Sequence, residues 1–372
     1  MTNFFKRSLL SPVFVMVFVT MLMFLANVIA LDQPWEWGHS VYLLGVLSFM
    51  IAYMLAYVSL TLMNVISPKV TANTPYRIVI RLYWALSSLG LLLSLYKIYS
   101  VGIGNPYGSV LLALRIANTW EHQTSYGAQH FALFALCLAL YYAQKKRALP
   151  CLVASLIYLT SAFSMAERTS MMFLFVAVGY TAINEGWIKL KGLLFALAIL
   201  ISLFIIVAIG TGKTGGDKGY DFILLYLGYA VTALSQWTEG KEYLGCADLV
   251  FGKFADLMSL GLYSCDPLDL GLTEKDFNVL TYAASPYLFG GLPAVLASMA
   301  VVGAFFATLR ALAIKRKGYY LALLSCYMYA LIMMFYAWQF SLTTYLYLMI
   351  ILFPLFAGRF LQASRLGLAP QG

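Results

Sequence analysis

Charge is what this sequence has least of: Asp, Glu, Lys and Arg together make up 10% of its 372 residues. Soluble domains carry about a quarter, so a surface that faces water all round is excluded. Histidine is scarcer still, and His39, His122 and His130, with the cysteines, show none of the tight spacings a metal site needs. No Asp-x-Asp pair is present to hold the metal of a nucleotide sugar, so any sugar substrate should arrive already activated on a lipid. Gly212-Lys213-Thr214 looks like the end of a phosphate-binding loop, but that pattern needs a glycine at 207, where the chain has Val207. Internal repeats and low-complexity tracts are absent as well.

Cysteine is rare, with five in the chain. Cys137, Cys151 and Cys326 fall in apolar stretches as small filler. Cys246 and Cys265 instead share a polar loop, where an oxidising compartment would permit a disulfide.

What is present is apolar length: 62% hydrophobic residues and a mean hydropathy of +0.83. Crossing a hydrocarbon core takes about 20 apolar residues as helix. Charge-free runs at 8–31, 38–68, 192–212, 277–309 and 318–358 reach that length. Split at polar or aromatic turns, the chain predicts about ten transmembrane helices, at 9–31, 41–65, 78–101, 127–143, 148–166, 169–185, 192–210, 283–308, 318–337 and 341–361. The expectation is an all-α polytopic membrane protein, 1–372 forming a single membrane domain. The first stretch follows Lys6 and Arg7 but is too long for the apolar core of a signal peptide.

Basic residues of short loops stay in the cytoplasm. With both termini inside, sixteen of the 24 basic residues fall on that side and only Glu185 among the 15 carboxylates, giving +15 inside and −6 outside. Topology thus accounts for the net +9 without nucleic acid as a partner. The outer side has two sizeable loops, 98–126 and 211–282. Within the second, Phe222 to Thr238 is uncharged, yet letting it span would put eight carboxylates inside and the Arg310, Lys315, Arg316, Lys317 cluster outside. It reads as a re-entrant segment, and backbone at that depth is tolerated where it lines a cavity or is buried in protein.

Arg168 is the most informative charge, in Ala166-Glu167-Arg168-Thr169-Ser170 at the outer end of the sixth span. That span runs outside to inside, so its free N–H groups and positive dipole end gather beside an arginine, which suits phosphate or pyrophosphate. The alternative is an arginine that snorkels or pairs with Glu167. Arg115 lies on an amphipathic outer segment leading to Glu121, His122 and His130, any of which could take a proton from a hydroxyl. Asp221 and Glu239 flank the re-entrant run. Trp35, Trp37, Tyr76, Trp120, Trp237 and Trp338 sit near the expected interfaces as belt anchors, some able to stack on sugar rings.

With these residues in view, the chain resembles the Wzy-type O-antigen polymerase family of oligosaccharide repeat-unit polymerases. Glu167-Arg168-Thr169-Ser170 is similar to the Arg-Thr or Arg-Ser step that opens an apolar helix there, and Arg168 with Gly179 fits the family's Arg-x10-Gly spacing, which Arg115 and Gly127 miss by one place. Tyr226 to Glu239 resembles its re-entrant segment, and Asn278-Val279-Leu280-Thr281 followed by Phe289-Gly290-Gly291 resembles its Asn-x-x-Thr and Phe-Gly-x-x-Gly, with Leu288 where an acidic residue is common.

The resemblance implies a GT-C-like, metal-independent glycosyltransferase of the bacterial inner membrane, without a cofactor. Its periplasmic site would move a glycan from undecaprenyl pyrophosphate onto the next lipid-linked repeat unit, with a chain-length regulator as a possible protein partner. It casts Arg168 as the clamp on the departing pyrophosphate, helped by Arg115, Lys213 or Lys218. Glu121, His122 or Glu239 would be the base, and Thr169, Asn278 and Thr281 would contact substrate. Alternatives are an O-antigen ligase delivering to lipid A core, a lipid-linked glycan transporter or flippase, and an assembly partner.

Overall fold

The computed structural model describes residues 11–31, 35–62, 77–119, 127–188, 192, 230–232, 234–235, 281–335 and 343–356. Every regular element among these is helical: α1 (Pro12–Leu31), α2 (Trp37–Leu62), α3 (Arg77–Lys97, prolonged by a π turn over Ile98–Gly102), α4 (Val110–Thr119), α5 (Ala128–Gln144), α6 (Ala148–Ser164), α7 (Arg168–Asn184), α8 (Ala284–Arg316), α9 (Tyr319–Ile332, ending in a 3-10 turn) and α10 (Thr343–Phe356). Helices α2, α8 and α3 with its π turn are long and apolar enough to cross a membrane, and α1, α6, α7, α9 and α10 are shorter apolar helices. The outward faces carry large apolar side chains, as at Phe18, Met21 and Leu25 on α1 and Leu47, Ile51, Met54 and Leu55 on α2. Apolar patches of that extent mark contact with lipid or with another apolar partner. The chain is thus helical and suited to a membrane.

The elements sort into two compact units, interleaved in sequence: 1–67, 218–311 and 330–346 in the first, 68–217, 312–329 and 347–372 in the second.

In the second unit α5 is the central helix. Ala132, Leu133 and every residue from Ala135 to Ala143 are buried, as expected of a helix apolar all round, and it packs against α3, α6 and α7. In lipid the association gains close packing and not dehydration, which favours small residues at the contact. Ala132, Ala135, Ala139 and Ala143 supply them on α5, and Gly90 on α3 comes so close that a Cβ would lie 2.9 Å from Phe131 Cβ. Three-residue turns reverse the chain between α5, α6 and α7. Each begins as a left-handed helix stop: Arg147 N–H reaches the Tyr142 carbonyl at 3.0 Å with Lys146 at φ 55°, and Glu167 N–H reaches the Ala162 carbonyl at 3.1 Å with Ala166 at φ 51°.

This winding gives the second unit two chemically distinct ends. At one, Trp84 Nε1 donates to the Tyr142 hydroxyl (3.2 Å), Gln144 Nε2 donates to the Gly318 carbonyl (2.9 Å), and Lys317 Nζ lies 3.1 Å from Glu185 Oε2. Those contacts gather the start of α3 with Arg77 and Arg81, the Lys145-Lys146-Arg147 turn and Lys317, all of which the charge partition assigns to one side. The other end holds Lys97, Asn118 and the turn from Met165 to Glu167.

In the first unit α2 buries a stripe at Gly38, Val41, Tyr42, Gly45, Val46, Phe49 and Tyr53, the spacing of one helix face. Tyr282, wholly buried before α8, donates its hydroxyl to the Tyr42 carbonyl at 2.6 Å, and its backbone N–H reaches the Met334 carbonyl at 2.8 Å. Helix α8 is interrupted at Gly290 and Gly291, whose φ 66°, ψ −159° is open only to glycine. Below that kink it continues to Arg316, eight residues past the end expected at 308.

The described part of the expected re-entrant run, residues 230–232 and 234–235, is helical and fully buried. A relay of oriented hydrogen bonds ties it to α1 and α2. Glu36 N–H donates to His39 Nδ1 at 3.1 Å, which leaves the proton on Nε2 to be donated to Asn27 Oδ1 at 3.2 Å. Asn27 Nδ2 donates in turn to Thr232 Oγ1 at 3.0 Å, and Gly38 N–H to Ser235 Oγ at 3.0 Å. Each buried polar group so paired avoids a desolvation penalty of about 1–3 kcal/mol.

Candidate functional site

A buried charge marks the Lys97 end of the second unit. Lys97 is 1% exposed, and a buried ammonium costs several kcal/mol unless its surroundings answer the charge. Its Nζ donates to Asn118 Oδ1 on α4 and lies 3.8 Å from Met165 Sδ. Asn118 Nδ2 in turn faces the Ser164 carbonyl at 3.5 Å. The Glu167 carboxylate lies within electrostatic reach of the ammonium. One lysine thus draws α3, α4 and the α6–α7 turn to one place.

Directly after that turn, Arg168 is the first residue of α7. Glu167 stands at the capping position but makes no side-chain cap. Its Oε2 instead accepts a 2.5 Å hydrogen bond from Ser170 Oγ. The first-turn N–H groups of Arg168, Thr169 and Ser170 therefore do not have the Glu167 carboxylate as their acceptor, and the positive end of the α7 dipole lies near the buried ammonium. Thr169 is half-buried in the same turn.

Arg115 sits on α4 one helical turn before Asn118, half-buried. Residues three apart share a helix face, so Arg115 belongs to the Lys97 end of the unit. Sequence singled out Arg115 and Arg168 from separate loops, and the fold places Arg115 on the helix whose Asn118 reaches the Ser164 carbonyl, four residues before Arg168. Val110 secures this geometry by packing against Gly102, where a Cβ would meet its Cγ1 at 2.6 Å. His130 lies on the first turn of α5, exposed, with its ring centroid 6.0 Å from that of Tyr347.

Thr281 is in the first unit, 1% exposed, and acts as a local turn residue whose Oγ1 accepts from Ala283 N–H at 3.3 Å. Glu121, His122, Lys213, Lys218, Glu239, Asn278, Cys246, Cys265 and the span at 192–210 lie outside the described residues, Gly192 excepted.

Lys97 and Asn118 are the additions that sequence reasoning missed. The signal for Lys97 was in view: it is the one charge between Arg81 and Arg115, in an otherwise uncharged run. Asn118 gave none, because an amide on a loop helix becomes informative only once its partner is known.

The arrangement can do three things chemically. A buried ammonium beside a helix start that Glu167 does not cap provides a positive potential for an oxyanion. Arg115, one turn before Asn118 on α4, adds a guanidinium to that end of the unit. A carboxylate at the same turn can orient a hydroxyl. No family model matches the chain, and no curated protein or solved structure matches it.

Proposed function

We propose that this chain is a membrane glycosyltransferase of the bacterial inner membrane that polymerises undecaprenyl-pyrophosphate-linked repeat units on the periplasmic face. The fold it would have is a GT-C-like bundle of about ten spans with both termini cytoplasmic. The observation that supports the reading is the buried Lys97 beside the start of α7, where Glu167 and Arg168 open the helix. Positive charge fixed at headgroup depth suits a reaction whose hard part is the departure of a pyrophosphate.

In that reaction an acceptor sugar hydroxyl attacks the donor's anomeric carbon. The new glycosidic C–O bond forms as the bond to pyrophosphate oxygen breaks, and undecaprenyl pyrophosphate leaves with the electron pair. Arg168, with Arg115 on α4, holds the leaving phosphates, and Lys97 raises the potential from below. Thr169 adds a hydroxyl donor in the first turn of α7. The acceptor's proton passes to a base drawn from Glu121, His122 or Glu239, or to the pyrophosphate itself. Because the leaving group is already good, the larger catalytic term is stabilisation of its charge.

The test supplies purified full-length protein with one lipid-linked repeat unit and no other acceptor. The expected product is a ladder of dimers and longer chains with release of undecaprenyl pyrophosphate. Product only after adding lipid A core identifies a ligase. Lipid-linked substrate moved across a vesicle without new glycosidic bonds identifies a transporter.

A further inference from the structure

The end of the second unit opposite Lys97 gathers cations that the proposed transfer leaves unused. Helix α3 opens with Arg77 and Arg81, both exposed, and Trp84, one turn further on, donates to the Tyr142 hydroxyl near the end of α5 at 3.2 Å. The turn after α5 is Lys145-Lys146-Arg147. Gln144 ties that turn to Gly318 at 2.9 Å, beside the Lys315, Arg316 and Lys317 that close α8. Glu185, at the end of α7, is the one carboxylate among the described residues here. Eight cations thus gather with a single carboxylate. Topology requires only that cations lie on one side. It does not require the fold to bring several stretches of them together, where like charges repel.

The backbone and the neighbouring side chains say what answers that charge. Lys146 and Lys317 stand in left-handed backbone, at φ 55° and 45°, which glycine adopts without strain and a lysine does not. Both helix stops therefore keep a cation where the backbone alone favours glycine. Directly after the α5–α6 turn, α6 exposes Leu149, Leu152, Val153 and Leu156, the first of them 72% exposed. That spacing is one helix face. Helix α3, which packs against α6, likewise exposes Ile78 and Leu82 beside Arg77 and Arg81. A soluble anion gains nothing from apolar side chains next to the cations, whereas a phospholipid carries its phosphate and its acyl chains together. The Trp84, Tyr141 and Tyr142 rings at this boundary, with Lys145 Nζ 5.9 Å from the Tyr141 ring centroid, are of the kind that sits at headgroup depth.

We infer that this end of the second unit binds anionic phospholipid, with the lipid phosphate on the α5–α6 turn and the start of α3 and the acyl chains along the exposed face of α6. The ligand is defined by a phosphodiester that keeps its negative charge and by the acyl chains joined to it. A zwitterionic lipid offers the same chains without the net charge, and a free headgroup offers the charge without the chains.

The test titrates full-length protein in micelles of uncharged detergent with phosphatidylglycerol, cardiolipin, phosphatidylcholine or the deacylated headgroup glycerophosphoglycerol, and reads bound ligand by native mass spectrometry. Wild type is compared with Lys145→Gln, Lys146→Gln and Arg147→Gln made together, and with Arg77→Gln and Arg81→Gln made together. Melting temperature is the folding control. Wild type should bind phosphatidylglycerol at least about tenfold more tightly than phosphatidylcholine, and each combined variant should lose most of that preference. Cardiolipin, which carries the same phosphodiester twice, should bind at least as tightly as phosphatidylglycerol. Glycerophosphoglycerol should bind wild type at least about tenfold more weakly than the lipid does. If the turn variant does not fold, the α3 variant decides. The inference is overturned if wild type has no preference for phosphatidylglycerol over phosphatidylcholine, or if the preference survives in both variants. It is overturned equally if the headgroup alone binds as tightly as the lipid, the mark of a site for a soluble anion. Glycan ladders play no part in these readouts, so the outcome is independent of the proposed transfer.

Discussion

The two ends of the second unit handle positive charge in opposite ways. At one end the cations sit on turns and on the first turns of α3, and the ion pair of Lys317 with Glu185 leaves the lysine 62% exposed. At the other a single lysine is 1% exposed and anchored by an amide from a different helix. Exposed cations cost little and fix which way a membrane chain faces. A buried one costs several kcal/mol, so its presence points to a task. The number of charges at an end reports topology, whereas the burial of one charge reports chemistry.

Substitutions at four positions test that contrast. Lys97→Met keeps the length of the side chain and removes its charge. Polymerisation should fall by about 10²–10³, while the melting temperature stays level or rises, because replacing a buried ion by an apolar side chain is often neutral or stabilising. A fall in both would return Lys97 to a structural role. Arg168→Ala should shorten the glycan ladder, with a rate loss of about 10² at normal protein level, and Arg168→Lys should recover part of it, since a point charge replaces the fork. Asn118→Leu deprives the ammonium of its amide partner, and stability should drop by roughly 1.5–3 kcal/mol, measured by thermal unfolding in micelles. Lys317→Gln should change stability by less than about 1 kcal/mol and leave product length untouched, as expected of an exposed pair.

Much of the helical framework was legible in the sequence because apolar length and loop charge are the two quantities a bilayer selects. The predicted segments at 127–143, 148–166 and 169–185 match α5, α6 and α7 to within two residues, since Lys146 and Ala166 end their helices where the apolar runs end. Boundaries drifted where polarity did not change in step with the backbone. Helix α8 runs on through Arg310 to Arg316 because basic side chains extend from a helix end without breaking it, and its Gly290–Gly291 kink leaves the hydropathy unchanged. The site was only half legible. Arg168 could be placed at a helix start from its neighbours, but the union of Lys97, Asn118 and the α6–α7 turn joins positions up to 68 residues apart, and no local pattern encodes it. His39 is the same lesson in the first unit. Weighed as a zinc ligand, it is a buried ring whose partners, Asn27 and Glu36, are a helix amide and a backbone N–H.

The central claim is that fixed positive charge at the Lys97 end holds the pyrophosphate that leaves. The most direct measurement is the affinity of undecaprenyl pyrophosphate for wild type and for Lys97→Met in the same micelles, over a range of salt. The account predicts at least roughly tenfold weaker binding to the variant and a salt dependence weaker than wild type's. Equal affinity and equal salt dependence would contradict it.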